Sequence, residues 1–314
     1  MDNFIFCLNA TVPIFILMIM GVFFRKIGLF NENFITKSNK FVFTVALPVL
    51  LFEDISTSDF VKVWNLKFVL FCFCITFISI VIAFLLSFLM KDKDSRGEFV
   101  QASYRSSAAL LGIAFIQNLY GNAGMAPLMI IGTVPLYNIM AVVILEVLRP
   151  GRGRFDKKLI WRTAKGVLTN PIVLGIVLGI LWSLLKIPQP AIMERSLNYI
   201  SVLATPLGLM AMGASVNIKE SMKGVKPALA CSALKLVGFT GVFLPLAVWM
   251  GFREDELAAI LIMLGSATTV SCFIMAKNMG HKGTLTSSAV MITTFANAFT
   301  LTGWLFLLKT MNLI

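Results

Sequence analysis

The sequence predicts an all-α membrane protein of ten transmembrane helices, arranged as two inverted five-helix repeats in which helices 4 and 9 are broken and cross. Three observations predict this fold: the apolar composition, a match between the two halves of the chain, and polar stretches inside two apolar segments. Hydrophobic residues make up 58% of the 314 residues and charged residues 13%, and mean hydropathy is +0.88. Because a soluble domain is nearer half apolar and a quarter charged, the composition favours the bilayer as solvent.

Ten apolar segments have roughly the 20 residues that a transmembrane helix needs. In chain order they are 4–24, 34–52, 66–90, 98–119, 124–148, 167–186, 191–216, 225–250, 255–278 and 284–309. Only short connections remain, so no soluble domain is expected. The first segment is not typical of a cleaved signal peptide, because Asp2 precedes it and Arg25 and Lys26 follow it.

Residues 1–156 and 157–314 follow one plan, with five spans each. Residues 40–48 match 198–206 at an offset of 158, and Ser107-Ala108-Ala109 match Ser266-Ala267-Thr268 at an offset of 159. Because each half has an odd number of spans, the second half enters the bilayer from the opposite side. Inverted repeats of this kind build secondary transporters, with the substrate site near the midplane where the repeats meet.

The basic residues predict the orientation. Nineteen of the 27 Lys and Arg residues fall on one side of this topology and six on the other, and the connection 149–158 between the repeats is the strongest anchor. Because positive residues favour the cytoplasmic side, we expect both termini to be extracytoplasmic in an inner or plasma membrane. The net charge of +12 therefore indicates a topological or membrane-surface role, not a nucleic-acid partner.

The fourth and ninth spans have polar middles rich in small and hydroxylated residues. Unwound backbone at this depth is tolerated only where it lines a cavity, and half-helix N-termini attract anions. The alternative is close helix packing through small side chains, but the match between repeats favours a substrate site. We expect the two breaks to cross and form an anion-binding cradle from Ser106, Ser107, Ala108, Gly112, Ser266, Ala267, Thr268 and Thr269.

Two asparagines and two prolines also occupy matching places in the repeats. Asn138 and Asn297 lie in the fifth and tenth spans. Their amides suit a carboxylate or an unwound backbone, and interhelical hydrogen bonding is the alternative. Pro48 and Pro206 mark helix distortions at equivalent depth, which we interpret as structural, with a chance of lining the cavity.

Two basic residues lie inside predicted spans, which is costly and usually functional. Lys235 lies near the midplane of the eighth span, and Arg105 lies just before the break in the fourth. Either could neutralise an anionic substrate. The structural alternative for Lys235 is a counter-charge to the carbonyls of a broken helix, and for Arg105 it is snorkelling to the cytoplasmic headgroups.

The chain has few residues that could form an ion relay, a metal site or an enzyme active site. No Asp or Glu lies at a predicted midplane, so a paired-carboxylate proton or sodium relay is not expected. The five cysteines lie in apolar spans without metal spacing, and the one histidine, His281, lies near a cytoplasmic end. An intramembrane enzyme would need a nucleophile–base pair or a metal site. We therefore expect no metal, no cofactor and no enzymatic activity.

The motifs resemble those of the bacterial auxin efflux carrier family. Its fourth span typically reads aromatic-Arg-Gly-Asn-Thr-Gly, apolar residues and Gly-Ile-Pro, which residues 104–113 resemble. Residues 273–277, 135–138, and Lys235-Leu236 with Pro245 are also similar to family members. The resemblance covers the whole chain. It implies a homodimer with a scaffold domain (spans 1, 2, 6 and 7) and an elevator-like transport domain (spans 3–5 and 8–10). It also implies small organic anions as substrates, as for the related plant auxin exporters and malate permeases.

The chain departs from this pattern at the crossing. The family's asparagine falls on Ser107, its fourth-span proline on Ala114 and its ninth-span proline near Ala267. The missing prolines leave the sharpness of the breaks open. The missing amide removes a group that could hold a carboxylate, so an auxin-like substrate is not assumed.

The sequence therefore predicts a carrier for a small organic anion, with a carboxylate as the preferred class. The hydroxyls of the cradle would form the site. Asn138, Asn297 and Lys235 would surround it, and Lys235 would supply the charge that lets an anion sit in a dry core. Without midplane carboxylates, we expect uniport or movement driven by the membrane potential. The alternative is a substrate-gated channel or a non-transporting membrane sensor on the same fold.

Overall fold

The computed structural model describes residues 2–56, 65–108, 116, 119–120, 124–151, 165, 168–215 and 225–314. These residues form helices and short connections, and no strand occurs among them, which confirms the all-α prediction. The helices are α1 (Asp2–Lys26), α2 (Glu32–Phe41), α3 (Leu47–Ser56), α4 (Leu66–Ser87), α5 (Arg96–Tyr104), α6 (Ala126–Val147), α7 (Pro171–Leu184), α8 (Ala191–Ser201), α9 (Ala204–Ser215), α10 (Val225–Ala233), α11 (Thr240–Trp249), α12 (Glu254–Gly265), α13 (Ser271–Asn278) and α14 (Thr284–Thr310).

Within these residues, six helical stretches are long and apolar enough to cross a membrane. They correspond to predicted spans two, three, five, seven, eight and ten, and α7 is apolar but shorter. The prediction of a multi-pass helical membrane protein is thereby confirmed. The count of ten spans and the inverted arrangement stay predictions. The six stretches are Glu32–Glu53, Leu66–Ser87, Leu128–Val147, Ala191–Ser215, Val225–Trp249 and Thr284–Thr310.

Two helix pairs bring their backbones into near contact. In the pair α1 and α9, a Cβ atom on Gly21 would lie 2.0 Å from the carbonyl oxygen of Met210. In the pair α3 and α7, a Cβ atom on Gly179 would lie 3.1 Å from the carbonyl oxygen of Phe52. Small residues allow such close packing in membrane proteins. Gly179 lies 158 positions after Gly21, and Met210 lies 158 positions after Phe52. The two contacts therefore correspond under the offset of the predicted repeat.

Each of the two matching prolines lies beside an irregular stretch of helix. A π-helical segment, Val42–Ala46, joins α2 to α3 just before Pro48. Pro206 lies in the first turn of α9, where a missing N–H is tolerated, directly after the turn at residues 202–203 that separates α8 from α9. Both prolines therefore lie next to a place where regular α-helix is interrupted.

Two helices end inside the polar stretches that the sequence singled out. α5 ends at Tyr104, residues 105–107 are non-helical, and Ala108 is again helical. α12 ends at Gly265, and residues 266–270 are non-helical before α13 begins. Gly112, Ala114 and the basic residues 152–158 lie outside the described residues.

Candidate functional site

A cavity of about 90 Å³ lies where the two non-helical segments meet. One water needs roughly 10–15 Å³ on this measure, so the volume corresponds to about six to nine waters or one small organic molecule. The cavity lies between α3 and α9 on one side and the segments 105–107 and 266–271 with α6, α13 and α14 on the other. Its described lining residues are Leu47, Leu50, Leu51, Arg105, Ser106, Ser107, Val134, Tyr137, Asn138, Ala204, Thr205, Ala267, Thr268, Thr269, Val270, Ser271, Ile274 and Thr294.

The two non-helical segments are hydrogen-bonded to each other. The backbone N–H of Ser107 donates to the carbonyl oxygen of Ala267 at 2.9 Å. The hydroxyl of Thr268 donates to the carbonyl of Ala102 in the last turns of α5, also at 2.9 Å. Since buried backbone groups without partners are costly, these bonds explain how both helices can end inside an apolar interior.

Side chains on neighbouring helices satisfy further groups of these segments. The amide of Gln101 in α5 donates to the carbonyl of Cys272 in α13 at 2.8 Å. The N–H of Thr268 donates to the hydroxyl of Thr293 in α14 at 3.0 Å. α5, α13 and α14 therefore fix the position of the segment 266–270.

Arg105 lines the cavity, and its guanidinium group is hydrogen-bonded to Asn138, another lining residue. Its side chain is 2% exposed and is therefore enclosed by other parts of the protein. Nη2 donates to the Oδ1 atom of Asn138 at 2.6 Å, and Nη1 contacts the sulfur of Met275, a weak acceptor. Nε has no hydrogen-bond partner, and no described Asp or Glu forms an ion pair with this guanidinium. The charge of Arg105 therefore lacks a protein counter-charge among the described residues.

Lys235 lies behind the cavity wall and is not among the described lining residues. It is 1% exposed, and Nζ donates to the hydroxyl of Ser106 at 2.6 Å. Lys235 is part of a π-helical segment, Leu234–Phe239, that joins α10 to α11. π-Helical segments are rare and frequent at functional sites. The lysine therefore reaches the cavity through Ser106.

The matching asparagines have unequal surroundings. Asn138 lines the cavity, accepts from Arg105, and donates through Nδ2 to the carbonyl of Val134 at 2.9 Å. Asn297 is 2% exposed and its Oδ1 atom has no partner, and the same is true of the buried hydroxyl of Ser266. The equivalence in sequence therefore does not extend to the hydrogen bonding.

The structure brings most of the proposed site residues together but not all. Arg105, Ser106, Ser107, Asn138, Ala267, Thr268 and Thr269 line the cavity. The remaining described residues lie near it without lining it, and their roles at the site stay predictions. These are Pro48, Ala108, Pro206, Lys235, Ser266 and Asn297.

Several lining residues were not singled out by the sequence. Tyr137 adjoins Asn138, and Thr205 adjoins Pro206, so the neighbouring motif could have indicated them. Leu50 carries no such signal, because one leucine in an apolar span looks like any other. Ser271 lies within the polar stretch of the ninth span, two positions after Thr269, the last residue assigned to the cradle.

A buried carboxylate lies away from the cavity, at the other end of α5. The two oxygens of Glu98, which is fully buried, accept from the N–H groups of Gly283 and Thr286 at 2.8 and 3.0 Å. These N–H groups belong to the beginning of α14, where the helix dipole favours a negative charge. His281 is also buried there, with Nε2 2.8 Å from the carbonyl oxygen of Leu145. Glu98 therefore joins α5 to α14.

In the described part of the chain, no group of three or more His, Cys, Asp or Glu residues could hold a metal ion. Cys72, Cys74, Cys231 and Cys272 are free, and all of them except Cys74 are buried. The polar side chains among the described lining residues carry hydroxyls, an amide and a guanidinium, and none of these residues carries a carboxylate.

Several known proteins are similar to this chain over most of its length. An uncharacterized transporter of Methanocaldococcus jannaschii is 24% identical over 309 residues, covering 96% of this chain and 99% of that protein. A Rhizobium meliloti protein named "Putative malonate transporter" is 22% identical over 291 residues, covering 86% of each chain. An uncharacterized transporter of Methanothermobacter thermautotrophicus is 20% identical over 300 residues, covering 94% of this chain and 96% of that protein.

The family comparison spans nearly the whole chain. A family model described as membrane transport protein matches residues 6–305. It includes the polar stretches of the fourth and ninth spans, on which the sequence resemblance rests. The chain therefore belongs to the membrane transport protein family, the auxin efflux carrier family that its motifs resemble.

Proposed function

We propose that this protein is a secondary carrier for a small carboxylate, which binds in the central cavity against Arg105. The observation that carries the proposal is that Arg105, a lining residue of the cavity, has a buried guanidinium without a carboxylate partner among the described residues. An isolated buried charge is costly unless it is paired. A bound carboxylate would provide that pair, and an arginine side chain can hold it with two parallel hydrogen bonds.

The remaining cavity groups favour the same class of ligand. Ser107, Thr269 and Ser271 line the cavity of about 90 Å³, and α13 begins beside them at Ser271. Hydroxyls and a helix N-terminus both favour an anion. The volume suits a molecule of a few carbons, and the Rhizobium meliloti relative is named for malonate. Malonate is therefore the first carboxylate to test.

The movement we propose follows the inverted-repeat plan. Ten spans in two five-helix repeats, with α5 and α12 as the first halves of broken spans 4 and 9, would place the cavity at the midplane. The cavity lies between α3 and α9, from the proposed scaffold, and elements of the proposed transport domain. An elevator-like shift of the second group against the first would expose the site alternately to each side. The correspondence of the glycine contacts supports the repeat.

The proposed membrane arrangement completes this account. Both termini lie outside an inner or plasma membrane, and two copies associate through the scaffold domain. A substrate-gated channel or a sensor on the same fold is the competing function. Saturable flux separates a carrier from a channel, and binding without flux indicates a sensor.

The test is uptake of radiolabelled malonate by purified protein in liposomes, with Arg105→Gln beside the wild type. Losing one partner of a buried charge pair costs roughly 2–5 kcal/mol, so we expect uptake at low malonate concentration to fall by about 30-fold or more. Arg96→Gln is the matched control, because it removes the same charge at the opposite end of α5, whose last residue directly precedes Arg105. The guanidinium of Arg96 donates to the carbonyls of Phe88 and Met90, away from the cavity. Equal uptake by both variants would contradict the proposal.

A further inference from the structure

One lysine joins the ends of the two helices that meet at the crossing. The Nζ atom of Lys235 donates to the Ser106 hydroxyl at 2.6 Å and lies 3.5 Å from the carbonyl oxygen of Tyr104, the last residue of α5. The Ser106 hydroxyl in turn donates to the carbonyl of Met263, in the last turn of α12. A single amine therefore contacts α5 directly and α12 through one hydroxyl.

Both helix ends carry partial negative charge. The last carbonyls of a helix have no partner within the helix, and the aligned peptide dipoles add to their charge. A cation near such an end is stabilising. No described Asp or Glu forms an ion pair with Lys235. The counter-charge of its ammonium group is therefore the pair of helix ends at the crossing.

The backbone around Lys235 is built to hold it there. The π-helical segment interrupts the regular hydrogen bonding of the helix and changes which carbonyls have a backbone partner. The carbonyl of Lys235 accepts from the hydroxyl of Thr240 at 3.3 Å. The carbonyl of Leu236 accepts from the indole of Trp304 at 3.0 Å. Side chains of α11 and α14 thus stabilise an irregular segment that aims the lysine at the crossing.

We propose that Lys235 is a tethered cation of the crossing, a positioning residue that holds Ser106 in place and balances the partial negative charges of the two helix ends. This inference rests on the proposed function above. Direct contact between Lys235 and the substrate is disfavoured, because the donor bonds of Nζ are directed to Ser106 and Tyr104 and the side chain lies behind the described lining.

The first experiment is chemical rescue of Lys235→Ala in liposomes without sodium. The substitution deletes three carbons and the nitrogen, which propylammonium supplies as a separate molecule. We expect malonate uptake to fall at least about tenfold, as for a lost hydrogen bond to a charged group, and to recover with propylammonium. Lys226→Ala is the control, since Lys226 is an exposed lysine of the same helix, and it should show neither loss nor rescue. A loss without rescue in a folded variant would overturn the proposal.

The second experiment separates positioning from substrate binding. Lys235→Met keeps most of the side-chain volume and removes the charge. We expect it to lower kcat for malonate while KM stays within about twofold, whereas Arg105→Gln raises KM, because only interactions with the bound substrate set its affinity. An equal rise of KM in both variants would assign Lys235 to the substrate and overturn the positioning role.

A substrate-free measurement keeps the inference independent of the transport assay. Propylammonium should raise the unfolding temperature of purified Lys235→Ala and leave that of the wild type unchanged, because only the variant has a vacant cation position. If the wild type transports no carboxylate but this shift occurs, the proposed function fails and the tethered cation stands. If uptake is robust and the shift is absent, the tethered cation fails alone.

Discussion

The two segments that meet at the crossing have similar backbones and different charges. Residues 105–107, from the first repeat, carry the guanidinium of Arg105 and receive the ammonium of Lys235 through Ser106. Residues 266–270, from the second repeat, offer only hydroxyls and backbone groups to the cavity. Both segments interrupt helices and both need partners for freed backbone groups. The difference indicates that both positive charges meet at the segment 105–107, with Arg105 coming from the first half of the chain and Lys235 from the second.

The matching asparagines test this asymmetry with the largest expected effect. Asn138→Leu removes the Oδ1 atom that accepts from Arg105 at 2.6 Å. A hydrogen bond to a charged group is worth about 1.5–3 kcal/mol, so malonate uptake should fall by roughly 10- to 150-fold. Asn297→Leu is the matched control in the second repeat, and since its Oδ1 atom has no partner, uptake should change less than about threefold. Equal losses would mean that the repeats share the site evenly.

The corresponding glycines sharpen the comparison in the packed part of the molecule. A new Cβ atom would lie 2.0 Å from a backbone oxygen at Gly21 and 3.1 Å from one at Gly179. Overpacking costs about 1–3 kcal/mol, so Gly21→Ala should lower the unfolding temperature of the purified protein clearly more than Gly179→Ala. A larger loss in Gly179→Ala would mean that the α1–α9 pair is not the closer one.

The smallest effect concerns the second segment alone. Thr268→Val removes the hydroxyl that donates to the carbonyl of Ala102 at 2.9 Å, while the shape of the side chain is kept. One neutral hydrogen bond is worth about 1 kcal/mol, so denaturation in detergent should show a small loss of stability. The KM for malonate should stay near that of the wild type. A KM change as large as that of Asn138→Leu would show that charge is not what separates the two sides.

Much of this fold could be predicted because the bilayer imposes simple rules. Lengths of apolar sequence identify helices, and polar residues inside them identify where the helix is interrupted. The predicted polar middle of the fourth span indeed contains the end of α5 at Tyr104, and that of the ninth contains the end of α12 at Gly265.

The details of the site could not be predicted, because they depend on how helices rotate and pack. Arg105 and Lys235 looked alike in sequence, as two cations inside spans. Only the π-helical segment and the packing of α10 against α5 place Lys235 behind Ser106, whereas Arg105 reaches the cavity. Leu50 and Thr205 line the cavity because α3 and α9 pack against the two non-helical segments. No local sequence pattern predicts that packing.

The most direct test of the central claim is whether Arg105 binds a carboxylate. Purified protein is heated with and without malonate, for the wild type, Arg105→Gln and Arg96→Gln. Binding to the folded state stabilises by RT ln(1 + [L]/Kd), about 2.7 kcal/mol at a hundredfold excess over Kd. The account predicts that malonate raises the unfolding temperature of the wild type and Arg96→Gln and leaves Arg105→Gln unchanged. An equal rise in all three would show that malonate binds elsewhere and would contradict the account.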